Sequence, residues 1–320
     1  MTPTTRKDQK SPQILISDRD PGLPYSKGLL ASQVMVTGLP PHRAYQVAEA
    51  VEERLVERDA ASVTSAELAE LTEHVLEELA GDRYAENYRR WREVEALDIP
   101  IVIMIGGATG VGKSTIATQL ATRLGIVRVV ATDAVREVMR ALFSRELMPS
   151  LHASSFEAGS ALREPPSRDA VIVGFREQTA AVAVGLHALL DRAAMEGTSL
   201  IVEGAHVVPG FLDPAPWEDR VLAVPVILTV EDEEHHRGHF GARAADRAGR
   251  PAGRYLDGFE NIRRVQKYIK SQALHHGVPI IGNFSFDRSL AAVIDLVMER
   301  ATERAAGRRP RVGAIQGGRR

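Results

Sequence analysis

One run constrains the fold of this chain more than any other: Gly107-Ala108-Thr109-Gly110-Val111-Gly112-Lys113-Ser114, which fits the spacing G-x-x-x-x-G-K-[ST]. Its flanks matter as much as its letters. Pro100-Ile101-Val102-Ile103-Met104-Ile105 enters it as a continuous apolar run, predicted to be a buried strand. Ile116, Ala117, Leu120 and Leu124 leave it at helical spacing. Strand, glycine loop and helix together make an anion cradle. Glycines let several backbone N–H groups converge on one anion, and the helix N-terminus adds its dipole. In such a P-loop, Lys113 is expected to reach the β- and γ-phosphates of a nucleotide and Ser114 to hold Mg²⁺.

Beyond the loop, apolar runs alternate with helical patterns. Strands are predicted over Ile126–Val130, Leu200–Glu203, within Val221–Val230 and over Pro279–Ile281. Helices are predicted over Phe175–Glu196, Tyr255–Ala273 and Ser289–Ala305. Alternation of this kind predicts a parallel sheet flanked by helices. Before the loop the pattern is different. A short strand at Gln13–Ser17 precedes helical patterns from Lys27 to Trp91, with a capping-box spacing at Thr64-Ser65-Ala66-Glu67. The expected organisation is a disordered leader at 1–12, a small mostly helical domain at 13–97, a P-loop domain at 98–306 and a basic flexible tail at 307–320. The tail carries five arginines and no acid.

Composition excludes several classes. With 320 residues, 44% hydrophobic and 26% charged, the chain is an ordinary globular one, long enough for two domains. A net charge of −2 gives no global pull toward nucleic acid or membrane. The absence of cysteine excludes disulfides, thiolate metal sites and cysteine nucleophiles, and fits a reducing cytoplasm. The polar start, Met1 to Pro12, has no apolar core of a signal peptide, and no run is long enough to span a membrane.

Several residues carry candidate chemistry. Asp133 and Arg136 follow the second strand, at the carboxyl edge where open α/β sheets bind ligands. Asp133 there accepts a proton from an attacking hydroxyl or holds Mg²⁺ through water, unless it only caps the helix. Arg136, three residues on, forks onto a substrate phosphate or carboxylate. Glu203 closes the third strand in the Walker-B position, or merely caps a loop. His206 contacts substrate or is a buried structural histidine. His152, Ser154 and Ser155 form a polar stretch expected near the crevice. Arg237, Arg243, Arg247, Arg250 and Arg254, interrupted by glycines, read as a closing lid; a solvated loop or an RNA-binding patch is the alternative.

These stretches resemble the 2-phosphoglycerate kinase family. The resemblance rests on Gly106–Thr115, Ala131–Arg140, Leu151–Ser155, Ile201–Gly210, and Tyr255-Leu256-Asp257 through Ile262–Tyr268. It implies a P-loop kinase fold and ATP-dependent phosphorylation of 2-phosphoglycerate at its free hydroxyl. Gly107, Ala108, Thr109, Gly110, Val111, Gly112, Lys113, Ser114 and Thr115 would hold ATP, and Ser114 with Glu203 would place Mg²⁺. Lys113, Asp133 and Arg136 would be catalytic. Pro24-Tyr25-Ser26-Lys27 and the helices that follow resemble an ATP-cone domain, a nucleotide-binding regulatory module, with a structural or dimerising role as the alternative. The Asp133-x-x-Arg136 spacing also resembles P-loop polynucleotide and seryl-tRNA kinases, and the cone leaves open a non-catalytic ATP sensor. Near-neutral charge weighs against a nucleic-acid partner. The expected partner is a small phosphorylated acid, and a homo-oligomer is left open.

Overall fold

The computed structural model describes residues 14–18, 22–163, 169–246 and 252–307, without the side chains of residues 241–246 and 252. The leader and the tail beyond residue 307 lie outside the described residues. The chain divides into two compact units: residues 1–96 with 123–125, and residues 97–122 with 126–320.

In the first unit, strands β1 (Leu15–Ile16) and β2 (Leu23–Pro24) precede helices α1 (Lys27–Met35) and α2 (Pro41–Glu57). Strand β3 (Ser62–Val63) then leads into α3 (Ser65–Ala80) and α4 (Asp82–Glu95). β1 lies between β2 (antiparallel) and β3 (parallel). The helix starts follow local chemistry. Ser26 caps α1 through its hydroxyl, Pro41 opens α2 where no N–H is needed, and Thr64 and Glu67 form the reciprocal capping box of α3. Val34, Leu39, Val47, Val51, Val75 and Leu76 meet in the core. On α2 the buried Ala44, Val47, Ala48, Val51 and Leu55 recur at helical spacing, so that helix buries one stripe.

The second unit is a five-stranded sheet with helices around it. Its elements are β4 (Ile101–Gly106), α5 (Lys113–Leu124), β5 (Val129–Ala131), α6 (Thr132–Leu142), α7 (Ala170–Glu196), β6 (Leu200–Gly204) and β7 (Leu222–Thr229). There follow α8 (Glu233–Asp246), α9 (Ala252–Asp257), α10 (Phe259–His276), β8 (Ile280–Gly282) and α11 (Phe286–Ala305). The strand order is β5-β6-β4-β7-β8, and every pairing is parallel. β4 is central and buried along its whole length, as its unbroken apolar run requires. Register places Gly106 beside Gly204 and Ile227, Ala131 beside Glu203, and Gly282 beside Thr229. One edge of the sheet therefore collects the P-loop, the start of α6, Glu203 and the turn after β8.

Several boundaries differ from the sequence expectation. β5 begins at Val129 rather than Ile126: it is an edge strand, and Val127 stands 90% exposed before it. α7 starts at Ala170, because Asp169 accepts the Val171 N–H and caps a turn that the apolar stripe does not mark. The helix expected over Tyr255–Ala273 is two helices, α9 and α10, parted at Gly258. At the end of β6, Gly204 has φ +154°, and an added Cβ would lie 1.8 Å from Thr132 Oγ1. Glycine is required there so that α6 can start directly against the strand.

Candidate active site

Lys113 opens α5 and is 8% exposed; its ammonium donates to Ala108 O at 2.7 Å, inside its own loop. Three other donors reach the next carbonyls. His236 Nε2 donates to Thr109 O at 2.9 Å, His239 Nδ1 to Gly110 O at 2.7 Å, and Asn283 Nδ2 to Val111 O at 2.9 Å. In a trans peptide the N–H opposes the preceding carbonyl. The carbonyls of Thr109, Gly110 and Val111, bonded from α8 and from the turn after β8, therefore leave the N–H groups of residues 110–112 on the opposite side of their peptides.

Ser114, one residue into α5, donates its hydroxyl to Glu203 Oε1 at 2.9 Å, and Glu203 is 7% exposed. A hydroxyl and a buried carboxylate beside a phosphate cradle are the hard oxygen donors that Mg²⁺ takes. Among the described residues no group of three or more His, Cys, Asp or Glu is placed to hold a metal ion by itself. The donor set thus fits an ion held partly by the protein and partly by phosphate and water.

The next strand supplies the facing side. Asp133 lies in the first turn of α6, and its side chain is 69% exposed. His206 is fully buried. Gln178 turns its amide N–H groups to Ser150 O and Ala153 O, so its Oε1 can only accept. His206 Nε2 donates to it at 2.9 Å, which leaves Nδ1 to accept from the Thr132 hydroxyl, also at 2.9 Å. Burial above all lowers the His206 pKa to about 4; nearby Asp133 opposes the shift, and Arg136 and Lys113 reinforce it. Lys113, Asp133 and Arg136 thus all act electrostatically on one buried imidazole. His206 is held by the protein at both ring nitrogens.

Arg136 differs from the sequence expectation. Its guanidinium is drawn onto the protein: Nη1 donates to Leu151 O at 2.9 Å and Ala153 O at 3.2 Å, Nη2 to Glu137 at 2.8 Å, and Nε lies 3.4 Å from Asp133 Oδ1. The side chain is 12% exposed. It braces the segment that carries His152, Ser154 and Ser155. In that segment His152 Nε2 donates to Phe143 O at 3.0 Å, Ser154 donates to Glu157 at 2.6 Å, and Ser155 is buried.

The lid arginines are partly in view. Arg237 on α8 lies over the Phe259 ring, 3.8 Å from its centroid. Arg254 on α9 pairs with Glu157, whose carboxyl it holds below the usual range, and so links α9 to the Ser154 segment. Arg247, Arg250 and the side chain of Arg243 lie outside the described residues. Sequence reasoning missed His236, His239, Asn283, Gln178 and Glu157. Two histidines at i, i+3 after the β7 strand were the signal available for the first pair.

His236 is pushed to about 4 from an ordinary 6.5, chiefly by burial, with the Thr109 hydrogen bond opposing and the Arg263, His239 and Lys113 charges assisting. With His206 this gives a signed expectation. Both groups bind protons more weakly folded than unfolded, so stability is intact above about pH 6.5 and falls as pH drops toward about 4. Each histidine contributes up to about 1.4 kcal/mol per pH unit in that window. Urea midpoints at a series of pH values should fall accordingly, and His206→Gln should flatten the slope. An unchanged slope in that variant refutes the assignment.

No family model matches the chain. The 2-phosphoglycerate kinase of Methanothermobacter thermautotrophicus is 41% identical over 275 residues, covering 85% of this chain and 89% of that protein. The chain belongs to the 2-phosphoglycerate kinase family. The family's members from Methanopyrus kandleri and Thermococcus kodakarensis are each 38% identical, covering 92% and 90% of this chain and 89% and 97% of their own length. Among solved structures, a gluconokinase from Sinorhizobium meliloti 1021 aligns with a TM-score of 0.36 at 14% identity, over 65% of this chain and 95% of its own. In this 2-phosphoglycerate kinase relative the P-loop, Asp133 and Glu203 all meet at one sheet edge.

Proposed function

We propose that this protein transfers the γ-phosphoryl group of ATP to the 3-hydroxyl of 2-phosphoglycerate, giving 2,3-bisphosphoglycerate and ADP. The observation that carries the reading is the 41% identity, over 85% of the chain, to a relative named for that reaction. The geometry supports it. The loop amides and Lys113 bind the nucleotide phosphates, and the lysine charge compensates the charge that spreads over the transferring group. Ser114 and Glu203 hold Mg²⁺, which when bound offsets phosphate charge. Asp133, exposed at the carboxyl edge, orients the acceptor hydroxyl and takes its proton as the new P–O bond forms and the bond to the β-phosphate oxygen breaks. Arg136 holds the wall formed by residues 151–153, and Arg254 exchanges Glu157 for an anionic group of the acceptor.

The unit at 13–97 is proposed as an ATP-cone-like regulatory domain and that at 98–306 as the kinase. A reducing cytoplasm is the proposed location, in keeping with a chain that lacks cysteine. Among the described residues no helix is long and apolar enough to cross a membrane. A direct test supplies 2-phosphoglycerate and a 5′-hydroxyl oligonucleotide at equal concentration with γ-labelled Mg-ATP. Label in the three-carbon acid is expected. Label chiefly in the oligonucleotide refutes the reading, and label in neither removes 2-phosphoglycerate as the acceptor.

A further inference from the structure

We propose that His236 and His239 are positioning residues of the nucleotide cradle: from α8 they hold the Thr109 and Gly110 carbonyls outward, and so keep the following N–H groups turned toward the phosphates. The proposal rests on the reading of the loop as the ATP site. Neither histidine belongs to the loop's own sequence pattern; each comes from an element more than a hundred residues away, at separations of 127 and 129.

The protonation pattern leaves little freedom. A carbonyl oxygen only accepts, so each imidazole must present an N–H to it. At His236 the second nitrogen, Nδ1, faces Arg263 Nη1 at 3.4 Å, and a guanidinium only donates. His236 is therefore the Nε2–H tautomer, with its one proton directed at Thr109 O. Arg263 is itself fixed, donating to Val230 O at 2.6 Å and Glu231 O at 2.9 Å, with Glu233 3.6 Å away. At His239 the contact is through Nδ1, so the tautomer is the opposite one.

Packing brings the same helix to the same place. The Phe240 ring lies where a Cβ on Gly110 would stand, 2.4 Å from that position, and Gly110 has φ +89°. Phe240 stacks on His236 with centroids 5.6 Å apart and on Tyr255 of α9 at 5.3 Å. Helix α8 is seated on the loop by ring contact and locked to it by two hydrogen bonds of fixed direction. A loop that loses those bonds regains freedom to rotate its peptide units, and an amide that turns away from the phosphate is lost to binding. The same helix carries Arg237, so nucleotide binding and the setting of the lid's first helix share one hinge of contacts.

The test exploits the different tautomers. The Nδ2 of asparagine reproduces the reach of a histidine Nδ1, and the Nε2 of glutamine that of a histidine Nε2. Mg-ATP binding to the full chain is measured by equilibrium dialysis, and steady-state kinetics are run with 2-phosphoglycerate. His239→Ala is expected to weaken ATP about three- to tenfold, the worth of one hydrogen bond, with His239→Asn restoring it and His239→Gln not. At His236 the order is reversed, glutamine restoring and asparagine not. His239 is only half-buried, so its series stays interpretable if the buried His236 variants fail to fold. ATP binding unchanged in His239→Ala overturns the proposal. So does equal rescue by asparagine and glutamine, or rescue by His239→Leu, since each would reduce the side chain to packing. A parent protein that does not bind ATP at all instead overturns the reading of the loop.

Discussion

Lys113→Ala is expected to lower kcat by about 10²–10³-fold or more while the chain stays folded, the scale set by removing one preorganised charge partner of a transition state. The lysine is nearly buried and sits on Ala108 O, within its own loop. Substitution also releases the Ala108 carbonyl, so ATP binding should weaken as well. Turnover, ATP affinity and circular dichroism on the same preparation separate these effects. A folded variant that keeps more than about a tenth of the parent kcat contradicts the role assigned here.

Asp133→Asn is expected to depress kcat by about 10²–10⁴-fold, the usual range for general-base assistance, with little change in the KM for ATP. The carboxylate is the exposed member of a site whose other groups are engaged by the protein. Asparagine keeps the shape and the helix position but cannot take a proton. Its amide also loses the charge that Arg136 Nε faces at 3.4 Å, and the Arg136 bonds to Leu151 O and Ala153 O hold that side chain regardless. The KM for the phosphorylated acid should therefore shift less than kcat. Loss of ATP binding at unchanged kcat would instead put Asp133 on the nucleotide side.

The P-loop, its entering strand and its leaving helix were legible because each is encoded locally: an apolar run, four glycines and a helical stripe lie within 25 consecutive residues, Pro100 to Leu124. The capping box at Thr64 was legible for the same reason. Strand order was not, since hydrophobic period says that a segment is a strand and nothing about its neighbour. The donors to the loop carbonyls were hidden too. His236, His239 and Asn283 stand 127, 129 and 172 residues from the carbonyls they serve, and only the folded sheet brings them together. Arg136 illustrates the opposite case. Its position was legible, but the carbonyls that absorb its guanidinium belong to a segment whose path no local signal fixes.

That absorbed guanidinium bears on how this pocket could be re-engineered. A side chain tied to Leu151 O and Ala153 O serves the scaffold and the proposed acceptor wall together, so a library randomised at position 136 would first be sorted for chains that still hold residues 151–153 in place. Lysine, with one point of charge, cannot reproduce the fork. Variation in acceptor preference would be better sought at Arg254, more than half exposed, than at its partner Glu157, which also holds Ser154.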